Sequence, residues 1–263
     1  METFLKPVHD FRQLVDIMKK LRAPGGCPWD AEQTHQSLTR YLIEETYEVI
    51  EAIDSGSSDH LKEELGDLLL QPVFHAAIAE ESGSFSIHDV ISLLCEKLVR
   101  RHPHVFGDVE IRDSDAQVEN WERIKKGEKS GERTSALEGV PPHLPALLKA
   151  HKIGEKAARV GFDWEHSDQV HAKVLEELRE FEDAWASGDQ GRMEDELGDL
   201  LFAIVNLGRF LSLNPEDALR KTIHRFQKRF EHVENELRLS NRQIRDAAFD
   251  ELDQLWNQAK KLE

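Results

Sequence analysis

Residues 64–69 read ELGDLL, and residues 196–201 read ELGDLL again, 132 positions later. In the second occurrence the run continues as LGDLLFAIVNLGRFL over residues 197–211, apolar on almost every side, with Asp199, Asn206 and Arg209 as its polar exceptions. A helix that is apolar all round is a buried helix, so this stretch predicts a helical core element carrying acids where acids are costly.

The repetition extends outward. Glu44-Glu45-x-x-Glu48 recurs at the same offset as Glu176-Glu177-x-x-Glu180, and 15 residues separate the third Glu from the following ExxD in both copies. Downstream, Lys97-x-x-Arg100-Arg101 corresponds to Arg225-x-x-Lys228-Arg229, and Trp121 with Lys125-Lys126 to Trp256 with Lys260-Lys261. Matching order along most of each half means a duplicated domain rather than a short-period repeat. GEKSGERTSALEGVPPHLP at 127–145 has linker composition. The domains are therefore expected at 1–126 and 146–263. Both halves read as all-α bundles. Phe11, Leu14, Val15, Met18 and Leu21 recur at helical spacing behind Asp10 as N-cap, and APGGCPWD ends that helix. Helices are predicted near 37–54, 59–80, 87–101, 168–187, 190–212, 215–238 and 248–261; Pro72 is expected to interrupt the first ExxD helix.

Charge and composition exclude several classes. Lys+Arg 34 against Asp+Glu 51 gives a net charge of −17, which repels a phosphate backbone and anionic lipid. Neither nucleic acid nor membrane is an expected partner, and any phosphate site must be built locally from a metal or clustered cations. Cys27 and Cys95 are too few for a disulfide framework or a four-ligand zinc site. METFLKPVHDFRQL has no signal-peptide core, and no apolar run reaches the roughly 18 residues of a membrane span. A cytoplasmic protein is expected.

A lone EExxE is ordinarily a solvated face. Here, at roughly 100° per residue, Glu177 falls among Val170, Phe181 and Ala184, inside the apolar stripe. Glu45 repeats this beside Leu38, Tyr41 and Ala52. Glu196 and Asp199, three apart, share a face of the next helix. Ionised carboxylates placed in a core need a cation or hydrogen-bond donors. Four of them from two adjacent helices make a hard-oxygen set suited to Mg²⁺, with Mn²⁺ also compatible. Arg225, Lys228 and Arg229 share one face of a third helix. Alone they would read as surface cations; beside a metal–carboxylate set they suit a polyphosphate. Trp256, alone, reads as a core residue.

These motifs resemble the MazG family of all-α nucleoside triphosphate pyrophosphohydrolases, whose signature is EExxE, a spacer and ExxD. GCPWDAEQTH at 26–35, RRHPHVF at 100–106 and VGFDW at 160–164 extend the likeness over nearly the whole chain. The resemblance implies helical-bundle domains and a homodimer. It also implies Mg²⁺-dependent hydrolysis of NTPs and dNTPs, ATP among them, to the monophosphate and pyrophosphate, as nucleotide-pool housecleaning. In two-domain members the second copy is credited with hydrolysis. Carried over by motif, Glu177, Glu180, Glu196 and Asp199 would hold the metal; Lys173, Arg192, Arg225, Lys228, Arg229 and Trp256 would contact nucleotide. Glu176 would act on the attacking water. The first copy keeps Glu45, Glu48, Glu64 and Asp67 as a secondary metal set, but Tyr41 stands in place of Lys173 and His60 in place of Arg192. Catalysis by that copy is therefore not expected.

The rival reading is a non-catalytic helical metal-binding regulator or interaction module. Other chemistries fit less well. Asp89 of the His88–Asp89 pair matches Asp217 at a helix start, where an acid needs no catalytic role. A di-iron bundle would need paired Glu-x-x-His motifs, and only Glu32-x-x-His35 exists.

Overall fold

A computed structural model describes residues 10–109, 113, 117, 120, 121, 124 and 135–262. Lys125, Lys126 and the expected boundary at 126–127 lie outside them. The described secondary structure is helical, with no strand among the described residues. The chain divides into two compact units, Met1–Lys129 and Ser130–Glu263.

In the first unit, α1 (Phe11–Arg22) starts where expected. Asp10 accepts the Gln13 N–H at 2.9 Å while the Gln13 side chain accepts the Asp10 N–H at 3.1 Å. Its Leu14, Val15, Met18 and Leu21 pack on Val73, Phe74, Ala76 and Ala77; Phe11, expected on the same stripe, is exposed. The segment after α1 is not pure loop, because Pro28 at N1 opens a short helix, α2 (Pro28–Glu32). Next come α3 (Thr39–Ser55), α4 (Ser58–Glu81), α5 (Ile87–Arg101) and α6 (Pro103–Phe106). Contrary to the sequence expectation, Pro72 does not interrupt α4, which runs unbroken through it. An interior proline costs about 3 kcal/mol. The residues around it, Gln71, Val73, Phe74, Ala76 and Ala77, are all buried, and each large apolar side chain so buried contributes about 1.5–3 kcal/mol.

The second unit comprises α7 (Ala146–Ala158), α8 (Ser167–Ser187), α9 (Gln190–Phe210), α10 (Pro215–Leu239), a 3₁₀ turn (Ile244–Asp246) and α11 (Phe249–Ala259). The sequence reading did not include α7, since its lysines and Gly154 blur the periodicity. Gly154 is needed there: a Cβ would lie 2.6 Å from Asn206 Oδ1 on α9. Buried Asn206 accepts from Arg209 Nε at 3.3 Å, and the Arg209 guanidinium holds Asp163 Oδ1 and Oδ2 at 2.5 and 2.9 Å. That bidentate grip holds the Asp163 carboxyl below its usual range and pins the VGFDW loop. Two of the three polar exceptions on α9 are thus structural.

The same hairpin appears twice. Gly56 caps α3 at φ 70° and Gly188 caps α8 at φ 72°, a left-handed conformation that costs glycine nothing. The next residue caps the following helix: Ser57 accepts from the His60 N–H and Asp189 from the Arg192 N–H. A two-residue turn therefore lays each EExxE helix antiparallel to its ExxD helix.

A second expectation fails as well. Helix α9 is not buried all round: Ala203, Val205 and Asn206 are, but Leu197, Leu201, Phe202 and Ile204 are 41–46% exposed. Leu65 and Leu69 of α4 are likewise exposed. Packing of α9 against α7 and α8 leaves one flank of the hairpin open.

Candidate active site

Each hairpin brings three carboxylates together. Glu177, Glu180 and Glu196 offer oxygens that all lie within 4.8 Å of one another, and so do Glu45, Glu48 and Glu64. The deep member of the second trio is Glu177, 6% exposed, as its place in the apolar stripe requires; in the first trio it is Glu64, 9% exposed. Asp199, one turn past Glu196, is exposed and stands outside the tight set, so the expected four carboxylates form a group of three. Asp67 is also exposed, yet close enough to act on Glu45.

The trios differ in what faces them. Lys173 Nζ lies 2.7 Å from Oε1 of both Glu176 and Glu177, and those bonds, Glu176 first, hold its ammonium well above the usual lysine range. Arg192 Nε stands 3.4 Å from Glu196 Oε1. Lost hydration, then the charges of Glu177 and Glu196, pushes the Glu180 carboxyl up; Lys173 opposes this. In the first unit Tyr41 sits under the Arg40 guanidinium, 4.4 Å from its ring centre, and edge-on to Trp29. His60 Nε2 lies 3.0 Å from Glu64 Oε1, an ion pair only when the imidazole is protonated. Burial, then Asp67, Glu48 and Glu64, raises the Glu45 carboxyl. Like charges held this close favour a proton or a cation among them.

The third helix carries its cations beside partners on α10 and α11. Arg225 donates to Thr222 on its own helix at 2.8 Å, Lys228 is exposed, and the Arg229 guanidinium lies 5.7 Å from the Trp256 ring centre. The charges acting on Glu180 all come from α8 and α9. Trp256 is half-buried on Phe226, with ring centres 4.9 Å apart. The structure thus joins Lys173, Glu176, Glu177, Glu180, Glu196 and Arg192 in one constellation, and places Arg225, Lys228, Arg229 and Trp256 in a second one on α10 and α11. Sequence reasoning missed the anchor beneath α9, Gly154–Asn206–Arg209–Asp163. Its signal was an asparagine and an arginine inside an apolar run.

The geometry has counterparts in known proteins. The MazG nucleotide pyrophosphohydrolase domain matches the chain twice, over residues 33–106 and 165–234, and each match contains one hairpin with its trio. The chain is 49% identical over 250 residues to the nucleoside triphosphate pyrophosphohydrolase/pyrophosphatase MazG of Thermotoga maritima, spanning 95% of both chains. It is 43% identical over 255 residues to a nucleoside triphosphate pyrophosphohydrolase of Escherichia coli strain K12, spanning 95% of this chain and 97% of that one. An uncharacterized protein of Bacillus subtilis is 47% identical over 256 residues, 97% of this chain and 52% of that longer one.

Proposed function

The chain belongs to the MazG nucleotide pyrophosphohydrolase family and is a nucleoside triphosphate pyrophosphohydrolase; from that premise we propose Mg²⁺-dependent hydrolysis of NTPs and dNTPs to the monophosphate and pyrophosphate, centred on the second trio and serving nucleotide-pool housecleaning in the cytoplasm. The observation behind this reading is the pairing of a hard-oxygen trio with Lys173 and Arg192 on adjacent helices.

The donor set fits the metal: three carboxylates on a half-buried face offer only oxygen, with lost hydration and then neighbouring charge pushing the Glu180 carboxyl up. Glu177, Glu180 and Glu196 would hold the ion, with Asp199 the nearest reserve carboxylate; Mn²⁺ is compatible. Bound there, the ion would neutralise phosphate oxygens and polarise the phosphorus under attack. Glu176, exposed and outside the trio, pairs with Lys173 at 2.7 Å; released from that pairing, its carboxylate would orient or deprotonate water. Lys173 and Arg192 flank the carboxylates, and Arg225, Lys228 and Arg229 hold the β and γ phosphates, stabilising the leaving pyrophosphate. Trp256 and Phe226 give that end an aromatic surface.

The apolar flank of each hairpin supports a homodimer, since contiguous exposed leucines on a single chain mark a protein interface. No helix among the described residues is long and apolar enough to cross a membrane. The net charge of −17 argues against a nucleic-acid partner.

A panel of NTPs and dNTPs incubated with the full-length protein and Mg²⁺, with products resolved by chromatography, tests the reading. Monophosphate and pyrophosphate in equal amounts support it. A diphosphate with orthophosphate would count against it, and no turnover of any nucleotide would favour the non-catalytic regulator.

A further inference from the structure

The second trio contains a cation of its own. Lys173 Nζ bridges Glu176 and Glu177 at 2.7 Å each, and Glu177 is the most deeply buried of the three acids. Lys173 stands four residues before Glu177, one helical turn, so its stem runs along α8 and its ammonium reaches the trio from the side. A buried carboxylate without a counter-charge costs several kcal/mol; with no metal bound, Lys173 is what meets that requirement. A divalent ion entering the trio draws on the same Glu177 carboxylate. One carboxylate cannot give its best electrostatic position to both cations, so the ammonium has to withdraw.

We propose that Lys173 is a positioning residue that stands in for the metal: it occupies the Glu176–Glu177 side of the trio until a divalent ion arrives, and is displaced from it by that ion. This rests on the metal reading above and extends it. Displacement has two effects. It weakens metal binding in the absence of nucleotide, because the Lys173 pairs must break first. It also frees an ammonium beside the newly bound ion, where the substrate's phosphates offer it new partners. Metal and nucleotide then favour each other's binding through one side chain. It also releases Glu176 from its pairing, leaving that carboxylate unoccupied for water.

The molecule contains its own control. At the position of Lys173 the first unit has Tyr41, whose ring packs against Arg40 and Trp29. No lysine therefore takes that place beside Glu45, Glu48 and Glu64, and among the described residues His60 stands against Glu64.

The test is Mn²⁺ titration by calorimetry, together with thermal unfolding in chelator, on the full-length chain without nucleotide. Glu64→Gln in the background confines uptake to the second trio. Lys173→Met keeps the stem and removes the charge. Compared with Lys173, it should bind Mn²⁺ up to about fivefold tighter, the worth of one partly exposed ion pair, and unfold at a lower temperature in chelator but not with saturating Mn²⁺. The reciprocal change Tyr41→Lys, in a Glu196→Gln background, should weaken Mn²⁺ binding to the first trio and raise its melting temperature in chelator; it stands alone if Lys173→Met does not fold. Equal Mn²⁺ affinity with and without Lys173 overturns the stand-in while leaving the metal site in place. A melting temperature lowered equally in chelator and in Mn²⁺ reduces Lys173 to a structural residue and also overturns it. No Mn²⁺ uptake by either protein removes the metal site, and the stand-in with it.

Discussion

The two hairpins are close copies in backbone and different in charge. Both turn on a left-handed glycine, both cap the next helix with the residue that follows, and both gather three glutamates within 4.8 Å. Yet the second trio faces Lys173 and Arg192, whereas the first faces Tyr41 and His60. Folding needs only the glycine, the cap and the apolar stripe, so those persist in both. A reaction that develops negative charge on phosphates gains from permanent cations beside the acids, and at the two positions compared the second copy has Lys173 and Arg192 where the first has Tyr41 and His60. The comparison teaches that the acids and the turn are what the two copies share, while the cations opposite the acids are what separates them.

The largest expected effect breaks the comparison directly. Glu196→Gln should lower turnover by on the order of a thousandfold, the scale of losing a transition-state electrostatic contact. Glu64→Gln, its counterpart, should produce a much smaller loss. In chelator, Glu196→Gln should melt no lower than the parent, because removing one of three crowded charges relieves repulsion. Steady-state kinetics on both variants decide this; equal losses would mean that both copies are catalytic.

Next in size are the anchors beneath the ExxD helices. Arg209→Ala frees Asp163 and strands buried Asn206, and should cost about 2 kcal/mol. Arg22→Ala should cost a similar amount in the first unit, where Arg22 holds Glu81 and the Asp30 carbonyl. Hydrogen exchange resolved by unit should place each loss in its own copy, and losses spread over both would show the units to be coupled. Smaller still is Gly154→Ala, about 1–2 kcal/mol, since the Asn206 side chain must give way to the new methyl; thermal melting reads it.

The smallest effect follows from Glu45, whose carboxyl lies above its ordinary value of 4.5. The folded state holds that proton more tightly than the unfolded chain. Its contribution is therefore fully present below about 4.5 and is lost as pH rises through the folded value. Glu45→Gln should flatten that decline in a chelator-treated pH series, and an unchanged slope would remove Glu45 as its source.

Much of this was legible in the sequence for physical reasons. The helices around Glu45, Glu64, Glu177 and Glu196 were readable because the apolar period and the acids within it repeat with fixed spacing. Helix Ala146–Ala158 was not, because its tight contact is made by Gly154, which has no side chain to enter a pattern. Periodicity could not show that α9 keeps one flank open, since the flank looks apolar whether a neighbour in the same unit or another chain covers it. Pro72 misled because local cost was visible and the surrounding burial was not. The placement of Lys173 on Glu177 follows from i,i+4 spacing, whereas the stacking of Trp256 on Phe226 depends on packing between helices.

The central claim is that water attacks the α phosphorus and pyrophosphate leaves. Hydrolysis of a nucleoside triphosphate by the Mg²⁺-loaded protein in ¹⁸O-labelled water, read by mass spectrometry of both products, tests it most directly. The account predicts one label in the nucleoside monophosphate and none in pyrophosphate. Label in pyrophosphate, or release of labelled orthophosphate with a diphosphate, would contradict it.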